Sequence, residues 1–246
     1  MFCNNCGQQL PEQAAFCSGC GATLSPTAAS PGSPSVAHQA SNLGQVLGSE
    51  VKARSKDAWE GIKLFAKSPV GGLQASFEMF DSARALSVAI VFAILYEAML
   101  FIGLYHGAGK MTSYIPFLPS MEDLSVKRVV QIIAIGLTPV ITLAVSATLA
   151  RLIFRGKGTF VGDLYTASAS LLPYGVLVLV ASILGPANIE VIAALTVFAL
   201  TYNILMLYAG CSRISGIPEA GAAPAVPVML LLTVWLTKVV VSTMVF

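Results

Sequence analysis

Charge is what this chain of 246 residues has least of: Asp, Glu, Lys and Arg together make up 11%, where a soluble domain carries about 25%. A water-soluble fold with so few charges cannot cover its surface with polar groups, so composition excludes an ordinary globular enzyme. Net charge is only +2, too balanced to call for a polyanionic partner. Lysine and arginine are missing altogether from residues 1–51, whose only formal side-chain charges are Glu12 and Glu50. Nucleic-acid binding needs surface cations, and this segment has none. Catalytic signatures are also lacking. There is no His-Glu-x-x-His, no serine elbow and no aspartate pair, and Gly156-Lys157-Gly158-Thr159 lacks the Gly-Lys-Ser/Thr ending of a phosphate loop. A non-enzymatic protein is expected. Neither a chain of acidic residues suited to a proton-driven carrier nor an inverted repeat is visible.

What is abundant is apolar sequence. Hydrophobic residues make 56% of the chain and mean hydropathy is +0.78. A bilayer core needs about 20 apolar residues per helix, and segments of this kind fall at about 85–105, 129–150, 167–185, 189–210 and 226–246. The expected fold is therefore an all-α, five-helix transmembrane bundle. Pro173 and Gly175 interrupt the third span, and a proline there requires neighbouring helices to re-satisfy the backbone. Six Lys/Arg (Lys52, Arg54, Lys56, Lys63, Lys67, Arg84) precede the first span; Arg151, Arg155, Lys157 and Arg213 fall in loops on the same side, against Lys110, Lys127 and Arg128 on the other. By the positive-inside rule the N-terminus is expected in the cytosol and Phe246 outside.

Cysteine usage is lopsided. Four of the five cysteines form two Cys-x-x-Cys pairs, Cys3/Cys6 and Cys17/Cys20, separated by ten residues and each followed by glycine. Four thiolates on two such knuckles suit one closed tetrahedral zinc site at residues 1–24. Two disulfides would need an oxidising compartment, and no secretory signal precedes Cys3. The expected cofactor is structural Zn2+, with Phe2, Leu10, Phe16 and Leu24 as a miniature core. Residues 25–49, rich in Ser, Ala, Pro and Gly, read as a disordered linker; as a flexible coil it would span about 25–30 Å. Residues 50–68 read as an amphipathic basic helix ending at Ser68-Pro69. Lys52, Lys56, Glu60, Lys63 and Lys67 share one face, and Val51, Ala58, Trp59, Ile62, Phe65 and Ala66 another. Two placements compete: on an anionic membrane surface, or packed against cytosolic loops.

Inside the spans, Glu97 and Lys238 are each the thirteenth residue of an outward-running helix, at matching depth. An intramembrane ionisable residue normally pairs or faces water, so a Glu97–Lys238 contact is the sharper expectation. The blander one has Lys238 snorkelling and Glu97 neutral or bonded to a hydroxyl. Asn203, Gln131, Thr138, Ser146, Thr148 and Thr201 are read as helix–helix glue. Gly103-x-x-x-Gly107 and Gly158-x-x-x-Gly162 are weak packing signals.

Residues 151–175, Arg-Leu-Ile-Phe-Arg-Gly-Lys-Gly-Thr-Phe-Val-Gly-Asp-Leu-Tyr-Thr-Ala-Ser-Ala-Ser-Leu-Leu-Pro-Tyr-Gly, resemble the signature of the Yip (Ypt-interacting) membrane-protein family, especially its prokaryotic members. The resemblance spans about residues 70–246 and implies a five-span domain with a cytosolic N-terminus; an appended zinc ribbon is similar to the arrangement of some bacterial members. It singles out Arg155, Gly156, Gly158, Phe160 and Pro173. Physically, Arg155 and Lys157 hold the loop at the headgroups, the glycines permit a tight turn, Phe160 re-enters the interface and Pro173 kinks the span. The role expected is an integral membrane adaptor, scaffold or accessory subunit. Its partners would be the lipid bilayer and a membrane or cytosolic protein, with no nucleic acid; homo-oligomerisation is left open. The alternatives are a transporter or permeation subunit, and a zinc or redox sensor.

Overall fold

The computed structural model describes Gly19, residues 36–111 and residues 126–245. Its helices are α1 (Val36–Lys67), α2 (Pro69–Glu78), α3 (Ser82–Met111), α4 (Val126–Ile153), α5 (Phe160–Leu184), α6 (Ile189–Ala209) and α7 (Glu219–Val245). A 3-10 turn, Pro186–Asn188, precedes α6 and a π turn, Gly210–Ile214, follows it. No strand occurs among the described residues. The chain divides into two compact units, Met1–Leu47 and Gly48–Phe246, of which the second is the bundle. It is an all-α, five-helix membrane-spanning bundle, with spans at Ser82–Gly107, Val129–Ile153, Phe160–Leu184, Pro186–Ile214 and Glu219–Thr243.

Two spans begin earlier than their hydropathy suggests. α5 starts at Phe160 rather than near 167 because Thr159 caps it, its side chain accepting from the Gly162 N–H, and because the acidic Asp163 is neutralised by partners elsewhere in the chain. α7 starts at Glu219 rather than near 226 and carries Pro224 and Pro227 inside the helix. α1 begins at Val36 and so takes in residues 36–49 of the segment read as a linker. It ends at Lys67, where Ser68 becomes the cap of α2 and Pro69 its first residue, a position where the missing N–H costs nothing.

α5 is central, packing on α3, α4 and α6, while α4 also packs on α7. α3 and α5 run parallel. Gly103 lies against Val178 and Gly107 against Ser182, so this glycine pair forms the α3–α5 seam, where a side chain would push the helices apart. At the other end of the seam Phe92 and Tyr165 sit 5.5 Å apart; Phe65 of α1 meets Phe92 edge-on at 5.6 Å, and Phe77 of α2 meets Tyr165 at 5.3 Å. The Tyr165 hydroxyl donates to Ser76 Oγ at 2.8 Å, and the Tyr202 hydroxyl of α6 donates to the Phe65 carbonyl. The α1–α2 corner is thus tied to three spans by aromatic rings whose polar tips are satisfied. Outside, Ile94, Ile141, Val197, Phe198, Leu231, Val234 and Trp235 are exposed, the apolar exterior that a bilayer solvates.

Pro173 lies inside α5. It cannot donate to the helix, and one residue along from the carbonyl it orphans, the Asn203 side-chain amide reaches across from α6 to the Ser170 carbonyl at 2.7 Å. Among the other polar residues read as glue, Thr138, Ser146 and Thr201 donate to carbonyls of their own helices, a local solution open to hydroxyls.

Candidate functional site

Four side chains from three parts of the chain meet at the end of the bundle that carries the basic loops. α4 contributes Thr148 and Arg151 from its last turns, α5 contributes Asp163 from its first, and Ser215 follows the π turn. Asp163 is fully buried. One of its oxygens, Oδ2, accepts from Arg151 Nε at 2.9 Å and from Thr148 Oγ1 at 2.9 Å; the other, Oδ1, accepts from Ser215 Oγ at 2.6 Å. The Arg151 side chain is 13% exposed. Helix ends assist: a carboxylate in the first turn of α5 and a guanidinium in the last turn of α4 each oppose the local dipole charge. A buried ion pair is tolerable when further hydrogen bonds satisfy it, and here two hydroxyls complete the carboxylate's shell.

The loop between α4 and α5 explains how Ser215 arrives. The Gly156 N–H donates to the Arg151 carbonyl at 2.8 Å and the Arg155 N–H to the Leu152 carbonyl at 3.4 Å, the paired bonds of a Schellman motif. The left-handed residue in that motif is Arg155, with φ of 55°, and not a glycine. Gly156 and Gly158 serve differently from the turn-forming role the sequence suggests. A Cβ at Gly156 would collide with the Ser215 carbonyl, and one at Gly158 would lie 2.5 Å from the Ser215 Cα. Their missing side chains let the Gly158 N–H donate to the Ser215 carbonyl at 3.0 Å. The π turn does the rest. Gly210 packs with its Cα on Thr166, and the Ser215 N–H reaches back to the Gly210 carbonyl at 2.8 Å. The extra residue rotates Ser215 toward Asp163, the kind of re-aiming for which π turns are used.

A left-handed arginine costs about 1–2 kcal/mol relative to glycine. Arg155→Gly is therefore expected to raise the thermal midpoint of the detergent-solubilised protein, and Arg155→Val to lower it; equal midpoints for the two variants would contradict the left-handed assignment.

Among the residues singled out from sequence, Arg155, Gly156, Gly158 and Phe160 gather around this joint. Arg155 is exposed, Phe160 is half-exposed as the first residue of α5, and Pro173 lies further along that helix. Glu97 and Lys238 are not brought together. No ion pair joins them among the described residues, and Lys238 is exposed. Both Glu97 oxygens are buried without a hydrogen-bond partner among the described residues, pressed on the Cα of Gly136 in α4 where a Cβ would collide. Cys3, Cys6, Cys17 and Cys20 lie outside the described residues. Cys211 is buried, its Sγ 4.0 Å from Met229 Sδ. The residues that sequence reasoning passed over are Asp163 and Ser215, whereas Thr148, read as helix–helix glue, does bond across from α4 to α5. The signal was an aspartate four residues after a capping threonine and twelve after Arg151 at a helix end.

A family model described as a zinc-ribbon domain matches residues 2–24. No curated protein and no solved structure matches the chain. The protein thus combines a zinc-ribbon-like N-terminal motif with a multi-pass membrane bundle. No group of three or more His, Cys, Asp or Glu gathers as a metal site among the described residues.

Proposed function

We propose that this protein is a non-enzymatic membrane adaptor or scaffold that presents an N-terminal zinc ribbon to a protein partner on the cytosolic side. The observation that carries the reading is the zinc-ribbon match at residues 2–24 joined to a five-span bundle. Cys3, Cys6, Cys17 and Cys20 are the residues that would hold Zn2+, which supplies folding energy when bound. Four thiolates fill a tetrahedral site, and a filled site is structural rather than catalytic. The Asp163 joint fits a rigid platform: the carboxylate is sealed and saturated with donors, so it offers no proton acceptor to a substrate. The excess of basic loop residues on one side supports a cytosolic ribbon. The resemblance of residues 151–175 to the Yip signature supports a membrane-organising role, without importing the partners of that family.

A second reading, a transporter or permeation subunit, draws on Glu97, since a sealed carboxyl without a partner within a span is a feature of ion pathways. It requires a continuous polar route along the bundle from Glu97, whose carboxyl lies against Gly136 of α4.

The test is in-cell photo-crosslinking from a photoreactive residue at position 25, retained in every chain, comparing the full chain with a variant lacking residues 2–24 and with Cys3→Ser/Cys6→Ser. The adaptor reading expects a discrete crosslinked protein that disappears in both variants while the membrane domain stays inserted. An unchanged crosslinking pattern in the variants would refute it, as would labelling of an N-terminal tag from outside intact cells.

A further inference from the structure

The sequence places Trp59 with the apolar residues of the basic helix, away from the lysines. The structure divides that helix differently. Ala58 and Phe65 are 3% and 4% exposed, and Gly61 is buried against Phe92 and the Tyr165 hydroxyl. These three residues form the face of α1 docked on the bundle. Trp59, 57% exposed, lies on the opposite side. At about 100° per residue, Lys52, Lys56, Trp59, Lys63 and Lys67 fall within about 80° of one another, and all five are exposed. The Lys63 ammonium sits over the Trp59 ring, 5.6 Å from its centroid.

One acid, Glu60, shares this side of the helix with the four lysines, which leaves the face strongly positive. Arg54, on the other side of the helix, takes up Glu50 at 3.5 Å and Asp57 at 3.9 Å. The four lysines make no ion pair among the described residues. The position of the face is set by Phe65. It packs on Phe92, whose ring meets Tyr165 five residues into α5, so this part of α1 lies about 7.5 Å along α5 from the start of that span. A helix held at that level against the outside of a membrane bundle has its free side at the boundary between headgroups and acyl chains. There an indole is at home and lysine stems extend toward phosphates.

We infer that the Lys52/Lys56/Trp59/Lys63/Lys67 face is a binding site for anionic phospholipid headgroups, with Trp59 inserted among the acyl chains beneath them. Each lysine near an anionic surface gives about a fivefold preference, and four on one rigid face act together because the bundle already holds the helix in place. The inference does not depend on the ribbon having a partner or on the side of the membrane it faces.

The chain has two tryptophans, Trp59 and Trp235. The experiment uses the full chain carrying Trp235→Phe, in nanodiscs of phosphatidylglycerol and phosphatidylcholine in which one lipid or the other carries brominated acyl chains. Brominated phosphatidylglycerol should quench Trp59 about twofold more strongly than brominated phosphatidylcholine at equal mole fraction. Lys→Gln at all four lysines should erase the difference, and Lys→Arg at all four should keep it. Equal quenching by the two lipids in the parent chain overturns the inference. So does quenching by aqueous acrylamide with none by either bromolipid, the result expected if this face instead awaits an acidic protein surface.

Discussion

Asp163→Ala should cost about 3–5 kcal/mol, the penalty for breaking one side of a buried ion pair. The loss is large because three donors are stranded together. Arg151, 13% exposed, keeps its charge with no counter-ion. Ser215 loses its acceptor, and Thr148 retains only the Ala144 carbonyl, to which its hydroxyl also donates at 2.9 Å. Asp163→Asn should be milder, since it preserves shape and an acceptor while still removing the charge. The decisive variant is Asp163→Leu combined with Arg151→Met. Replacing both members of a buried pair by apolar residues is often close to neutral, so the double variant should recover most of the midpoint lost by Asp163→Ala. The measurement is the thermal midpoint in detergent, followed by fluorescence-detected size exclusion. A midpoint for Asp163→Ala within a degree or two of the parent would mean that the joint does not hold the three segments together.

Removing zinc should have the other large effect, confined to residues 1–24. Folding of a segment so small rests on the metal, worth about 10–16 kcal/mol in comparable peptides. The purified chain should carry about one zinc per polypeptide, and Cys17→Ser/Cys20→Ser should abolish it. Stripping with a strong chelator should make residues 1–24 cleavable by protease while leaving the thermal midpoint of the bundle unchanged. Absence of stoichiometric zinc from protein purified under reducing conditions would mean that residues 1–24 do not form a zinc ribbon. A fall in the bundle's midpoint on chelation would contradict the independence of the two parts.

The spans were legible because lipid imposes a length and a composition on every crossing segment, and a run such as residues 189–210 satisfies both without reference to its neighbours. Asn203 was legible as glue between helices, and its amide does reach from α6 to the Ser170 carbonyl of α5. The polar joint was not legible, since its parts come from residues 148, 151, 163 and 215 and a carboxylate near a loop reads as surface until its partners are seen. The glycines of the loop were noticed for the wrong reason. Turn formation falls to Arg155, whereas Gly156 and Gly158 are required by the approach of Ser215, a contact between segments far apart in sequence. Trp59 was grouped with the apolar residues by polarity alone, although a spacing of about 100° per residue already sets its indole among the lysines.

The separations within the joint carry a consequence for how the molecule is put together. Arg151 and Thr148 stand 12 and 15 residues from Asp163, while Ser215 stands 52 away. The first two contacts close within a single helical hairpin as soon as α4 and α5 are inserted, whereas the third waits until α6 and the π turn after it are in place. The hairpin is therefore formed with its acid already paired, and the serine arrives afterwards as a clasp on a finished pair. Loss of the clasp should speed dissociation of the last two helices and leave the rate of hairpin insertion untouched.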